Sequence, residues 1–99
     1  LAKSVYIPNS FTPNGDGVND GFGPSIYGPQ LEAYQFYIYN RWGNLVFESN
    51  NVNDKWNGSY KLGDPISNYD VFVWKLKYRM YGEVKMTQLI GNVTVLGAK

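Results

Sequence analysis

The chain has 99 residues and a formal net charge of +1, nine Lys and Arg against eight Asp and Glu. A chain this short holds one core, and charge this near neutrality argues against a dedicated nucleic-acid binder. Cys and His are both at zero, which removes disulfides, thiolate zinc sites, a Cys nucleophile, the commonest general base and the commonest transition-metal ligand. Aromatic residues reach 17%, with nine Tyr, five Phe and three Trp beside 11 Gly and five Pro. That mixture suits half-buried strands separated by tight turns. No apolar run approaches the roughly 20 residues that span a bilayer. The opening Leu1-Ala2-Lys3-Ser4 has neither Met nor the apolar stretch of a signal peptide. Residues 1–99 are therefore expected to form a single domain taken from a larger protein.

Ser4-Val5-Tyr6-Ile7 alternates and stops at Pro8, the pattern of an edge strand. Residues 9–29 are rich in Pro and Gly, with Phe11, Val18, Phe22, Ile26 and Tyr27 as apolar anchors. A loop of about twenty residues in a small domain is usually functional. Residues 31–40 predict a central strand, with Tyr34, Phe36 and Ile38 on one face and Tyr37 and Tyr39 on the other. Arg41-Trp42-Gly43 breaks the alternation and residues 44–48 resume it, which predicts a hairpin with Gly43 at positive φ. That hairpin sets Tyr39 opposite Leu45 and Ile38 opposite Val46. Residues 49–54 are polar and Asn-rich, a loop, and Tyr60 and Leu62 suggest a short strand before Pro65.

The last third alternates most clearly, with Phe72, Trp74, Leu76, Tyr78 and Met80 on one face. A second loop ending in glycine, Met80-Tyr81-Gly82, sets Tyr78 opposite Val84, Leu76 opposite Met86, Phe72 opposite Ile90 and Arg79 opposite Glu83. Slipping by one residue would oppose Tyr78 to Lys85, so apolar matching selects the first register. Residues 93–96 continue the final strand. No segment has helical periodicity. The predicted fold is all-β, an antiparallel Ig-like β-sandwich of about seven strands.

Three features carry possible chemistry. In Asn14-Gly15-Asp16-Gly17-Val18-Asn19-Asp20, oxygen donors at alternate positions around a glycine resemble calcium loops. Asn14, Asp16 and Asp20 would bind Ca²⁺ by side chain and Val18 by its carbonyl. Asx-turns, with Asn and Asp bonding their own backbone, explain the same spacing without metal. The aromatics suggest a carbohydrate platform, yet a small Cys-free sandwich needs large rings for packing. Trp56 and Trp74 are expected in the core, Trp42 and Tyr81 at exposed loop tips. Lys75, Lys77, Arg79 and Lys85 form a basic row that would either guide an acidic partner or keep the sheet from aggregating. The eight carboxylates form no paired catalytic motif, and no nucleophile elbow, phosphate loop or dinucleotide fingerprint is present. Catalysis is not expected, and no cofactor is required.

Several segments together resemble one family. Residues 7–20, running Ile7-Pro8-Asn9-Ser10-Phe11-Thr12-Pro13-Asn14-Gly15-Asp16-Gly17-Val18-Asn19-Asp20, are similar to the opening signature of the gliding-motility-associated C-terminal domains. These are the type B sorting domains of the type IX secretion system of Bacteroidota. Tyr39-Asn40-Arg41-Trp42-Gly43-Asn44-Leu45-Val46-Phe47-Glu48-Ser49 resembles their central segment. Trp56-Asn57-Gly58-Ser59-Tyr60, Asp70-Val71-Phe72-Val73-Trp74-Lys75 and Gly91-Asn92-Val93-Thr94-Val95-Leu96 follow in family order. The resemblance implies a C-terminal address that directs a cargo protein through the outer-membrane translocon, for secretion or surface attachment. It also implies an outer-membrane partner of the PorP/SprF kind. The isolated domain is expected to be a monomer. A strand-addition contact at a sheet edge is expected from Val93, Thr94, Val95 and Leu96, with the Arg41-Trp42-Gly43 tip second. The alternative is a carbohydrate-binding or adhesive β-sandwich module of a surface protein.

Overall fold

The computed structural model describes residues 4–11, 21–28, 30–56 and 71–95. They form β1 (Ser4–Tyr6), β2 (Ser10–Phe11), β3 (Ser25–Tyr27), β4 (Leu31–Tyr39), β5 (Leu45–Ser49), β6 (Val71–Met80) and β7 (Thr87–Val95). No helix occurs among them. Five strands make one sheet in the order β2-β7-β6-β4-β5, and β1 pairs with β3 in a second, two-stranded sheet. All pairings are antiparallel except that of β2 with β7. The protein is an all-β sandwich.

Period-two alternation decides which side of the large sheet is dry. In β4 it buries Tyr34, Phe36 and Ile38, and in β6 it buries Phe72, Trp74, Leu76, Tyr78 and Met80. These residues meet in register, Tyr34 opposite Tyr78, Phe36 opposite Leu76 and Ile38 opposite Trp74. Phe11, Phe22 and Trp56 cover this face. Trp56 meets Phe72 edge-on at 4.9 Å, and Phe11 lies 5.5 Å from Trp56 and 5.6 Å from Phe22. Val5 and Ile26, paired across β1 and β3, pack their shared face against the same core. Tyr6 and Tyr27, on the opposite face, are exposed; the reading of Tyr27 as an apolar anchor is thereby corrected.

The segment 9–29 is less loop-like than its composition suggests. Besides β2 and β3, it contributes Phe22, whose backbone exchanges two hydrogen bonds with Trp56 (N to O, 2.8 and 2.9 Å). A strand of two or three residues is too short for alternation to be read. The expected short strand at Tyr60 and Leu62 lies outside the described residues.

In the first hairpin Tyr39 faces Leu45 as expected, but Ile38 faces Phe47 rather than Val46. A bulge inserts Val46 as an extra residue, and its side chain is buried. The register of the second hairpin is corrected. Tyr78 pairs with Thr87, Leu76 with Leu89 and Phe72 with Val93, and residues 81–86 form the connection. The expected register made even-numbered residues of the final strand face inward. A strand of period two cannot bury Val84, Met86 and Ile90 together with Val93 and Val95, because the two sets point to opposite faces. The odd set wins: Val93 and Val95 are fully buried, while Val84, Met86 and Ile90 are exposed. Gly91 fixes this choice. It pairs with Trp74, and a Cβ built at Gly91 would lie 2.4 Å from Trp74 Cζ2. Only a glycine admits the indole there. The connection reinforces the arrangement: the Met80 N–H donates to Glu83 Oε1 (2.9 Å) and the Glu83 N–H to Met80 O (3.0 Å). Arg79 faces Ala33 rather than Glu83, donates to the Glu83 carbonyl (3.0 Å), and forms an ion pair with Glu32 at 3.6 Å.

Candidate recognition surface

The turn between β4 and β5 is exposed and closed by hydrogen bonds. Its anchor is Asn40, which the sequence reading passed over. Asn40 is buried, and its Oδ1 accepts the N–H groups of Trp42 (3.0 Å) and Asn44 (2.9 Å). Its own N–H donates to Asn44 O (2.9 Å), and its carbonyl accepts from the Gly43 N–H (3.0 Å). Gly43 sits at φ 85°, a conformation costly for residues with a Cβ. An Asn just before a tripeptide turn is the signal that would have found this anchor, since Asn side chains cap backbone N–H groups two residues on. The lock holds Trp42 outward, 71% exposed, with the Arg41 guanidinium 5.0 Å from the ring centroid. An exposed, pre-ordered Arg–Trp stack loses little freedom on binding.

The outer face of the large sheet carries Lys75, Lys77 and Arg79 from β6, as expected. Lys75 Nζ lies 5.7 Å from the Tyr37 ring centroid, and Tyr37 stacks on Tyr39 at 6.4 Å. Lys85 does not continue this row. It lies in the 81–86 connection, and Lys77 faces Gln88 instead.

The predicted edge at Val93, Thr94, Val95 and Leu96 is corrected for the described residues. β2 covers this stretch, Ser10 opposite Thr94 and Phe11 opposite Val95, so those rungs have no unpaired edge. Val93 and Val95 are core residues, and Leu96 lies outside the described residues. The candidate calcium loop Asn14, Asp16, Val18 and Asp20 also lies outside them.

Trp56 and Trp74 are buried, and Trp42 and Tyr81 exposed, matching the sequence reading. The two exposed rings cannot form one platform. Tyr39 pairs with Val73 and Leu31 with Met80, so the 40–44 turn and the 81–86 connection sit at opposite ends of β4, roughly 25 Å apart at ~3.3 Å per residue.

An open polar recess of ≈ 320 Å³ beside β5 is lined by Gln35, Tyr37, Glu48, Ser49, Asn50 and Asp54. Asp54 is held at its rim by the Ser49 hydroxyl (3.0 Å). Burial, and secondarily the charge of Asp54, pushes the Tyr34 phenol well above its ordinary pKa. Desolvation lowers that of Lys55, whose ammonium donates to Pro24 O at 2.6 Å. Among the described residues no group of three or more Asp or Glu could hold a metal ion.

Residues 5–91 match the CHU_C type IX secretion signal domain. No curated protein and no solved structure matches the chain. The family is not a catalytic one, and its role implies interaction with the type IX secretion machinery. The match runs from β1 into β7 and takes in the Asn40-anchored turn. The chain belongs to the type IX secretion signal domains: it is a C-terminal sorting signal that directs the protein bearing it across the outer membrane, to the cell surface or the medium.

Proposed function

We propose that this domain is read by an outer-membrane protein of the PorP/SprF kind through the Arg41–Trp42 tip, with Lys75, Lys77 and Arg79 guiding approach. The observation that supports this is the locked turn, which presents an Arg–Trp stack to solvent. Arg and Trp dominate binding energy at protein interfaces, and a turn fixed before contact keeps that energy for affinity. The domain works as one unit over residues 1–99, performs no chemistry of its own, and needs no cofactor.

The test is a reporter fused to the domain in cells with an active type IX system. Arg41→Ala with Trp42→Ala is expected to leave the reporter in the periplasm while the purified domain melts as the wild type does. Export of that double variant at the wild-type level would overturn the proposal. Calcium at Asn14, Asp16, Val18 and Asp20 is a separate proposal, supported by sequence spacing alone. Calorimetry with Ca²⁺ decides it. A binding heat lost in Asp16→Ala supports ligation, and no heat leaves the loop to its Asx-turns.

A further inference from the structure

Among the described residues, β7 is covered along only part of its outer edge. The Thr94 N–H points across that edge to Asn9 O at 3.0 Å. Residues of an antiparallel ladder alternate between aiming their N–H and C=O at the partner strand and away from it. Asn92, Ile90 and Gln88, at even spacing from Thr94, therefore aim theirs outward as well. β2 pairs only at Thr94 and Val95. Before it the chain reaches Pro8, which has no N–H to add to a ladder, and β1 belongs to the other sheet. Among the described residues no strand pairs with the outer side of 87–92.

This open stretch is also apolar. Ile90 is 62% exposed and Leu89 36%, and the connection beside them exposes Val84 at 93% and Met86 at 45%. An unpaired edge with exposed apolar side chains is a liability that folds normally blunt. Here its surroundings select what can cover it. Lys77 stands behind Gln88 and Lys75 behind Ile90 on the outward face, and Lys85 lies at the near end. Lys77 and Lys85 have no ion pair among the described residues. A second copy of the chain, pairing β7 against β7, would offer these cations no carboxylate, because residues 87–92 contain neither Asp nor Glu.

We infer that the outer edge of β7 at residues 87–92 receives an extended strand from an outer-membrane component of the secretion machinery, one that alternates apolar residues with Asp or Glu. Its apolar side chains would lie on the Leu89 face, and its carboxylates on the face of Gln88 and Ile90, reaching past Gln88 toward Lys77 one strand further in. About six residues suffice, since the open stretch is roughly 17 Å long. This rests on the sorting role and adds a second contact, separated from the Arg41–Trp42 tip across β6 and β4.

Proline separates edge from ladder. Ile90→Pro deletes an outward N–H and leaves the β6–β7 bonds in place, whereas Leu89→Pro deletes an inward one and serves as the unfolding control. With the reporter fusion, Ile90→Pro should cut export by at least about tenfold, with the purified variant still showing a cooperative melt. Should proline unfold the domain, Gln88→Glu with Ile90→Glu replaces it; both side chains are exposed and would repel the strand's carboxylates, and export should fall to a similar degree. Wild-type export by either folded variant overturns the inference while leaving the sorting role intact. Failure of the wild-type fusion to be exported would instead strike the sorting role itself. A purified wild-type dimer that Ile90→Pro converts to monomer would overturn the acidic strand in favour of a second copy.

Discussion

Gly91→Ala tests the packing that sets the β7 register. The added Cβ would stand 2.4 Å from Trp74 Cζ2, 2.8 Å from Cε2 and 3.1 Å from Nε1. Ordinary carbon contacts begin near ~3.5 Å, so the ring must retreat by about 1 Å. It has little room, because Trp74 is buried and lies 6.3 Å from the fully buried Phe36 ring. Overpacking of this kind costs about 1–3 kcal/mol. Alanine recovers roughly 0.5–1 kcal/mol of backbone entropy relative to glycine in a strand. The net loss is about 1–2 kcal/mol, which for a domain of this size lowers the melting temperature by roughly 5–15 °C. Thermal melts followed by circular dichroism measure it. The cause is isolated by repeating the substitution in a Trp74→Leu background, where the clash is gone and Gly91→Ala should cost nothing or stabilise. An equal loss in both backgrounds would refute the assignment of Gly91 to indole accommodation.

Two further substitutions probe local energetics. Asn40→Ala strands the N–H groups of Trp42 and Asn44, which its side chain now accepts; a loss of about 1–2 kcal/mol is expected in chemical denaturation, with Asn40→Asp keeping most of the stability. Tyr34 buries its hydroxyl with no partner, so Tyr34→Phe should raise stability by about 1 kcal/mol. The pH dependence of that pair has a definite sign. The unfolded chain releases the phenolic proton near ~10, and the folded chain releases it only at higher pH. Above ~10 the native state therefore holds more protons, and wild-type stability falls by up to about 1.4 kcal/mol per pH unit. Tyr34→Phe should decline less steeply between pH 9 and 11.5 on the same melts, and parallel curves would contradict the burial of that group.

The large strands were legible because β4 and β6 alternate over nine and ten residues, long enough for period two to stand out. The core followed from them, including Trp56 and Trp74. The tip was legible too, since Arg41-Trp42-Gly43 interrupts a clean alternation. What pairwise apolar matching could not find was the β7 register. It rewarded placing Val84, Met86 and Ile90 opposite core residues, although the same chain needs Val93 and Val95 inside and parity forbids both. The fit of Trp74 over Gly91 decides that conflict, and it is a property of two strands at once. β2 hid for a related reason: its two residues gain a strand's bonds only because β7 is already there. Its cover over Thr94 and Val95 moved the open edge from the end of β7 to its beginning, where the surplus apolar residues lie.

The central claim is that these residues act as a transport label. A fluorescent protein with a periplasmic signal peptide and this domain at its C-terminus, expressed in cells with and without a working type IX translocon, tests it most directly. The account predicts fluorescence at the surface or in the medium only when both the domain and the translocon are present. Equal release with the translocon disabled, or without the domain, would contradict it.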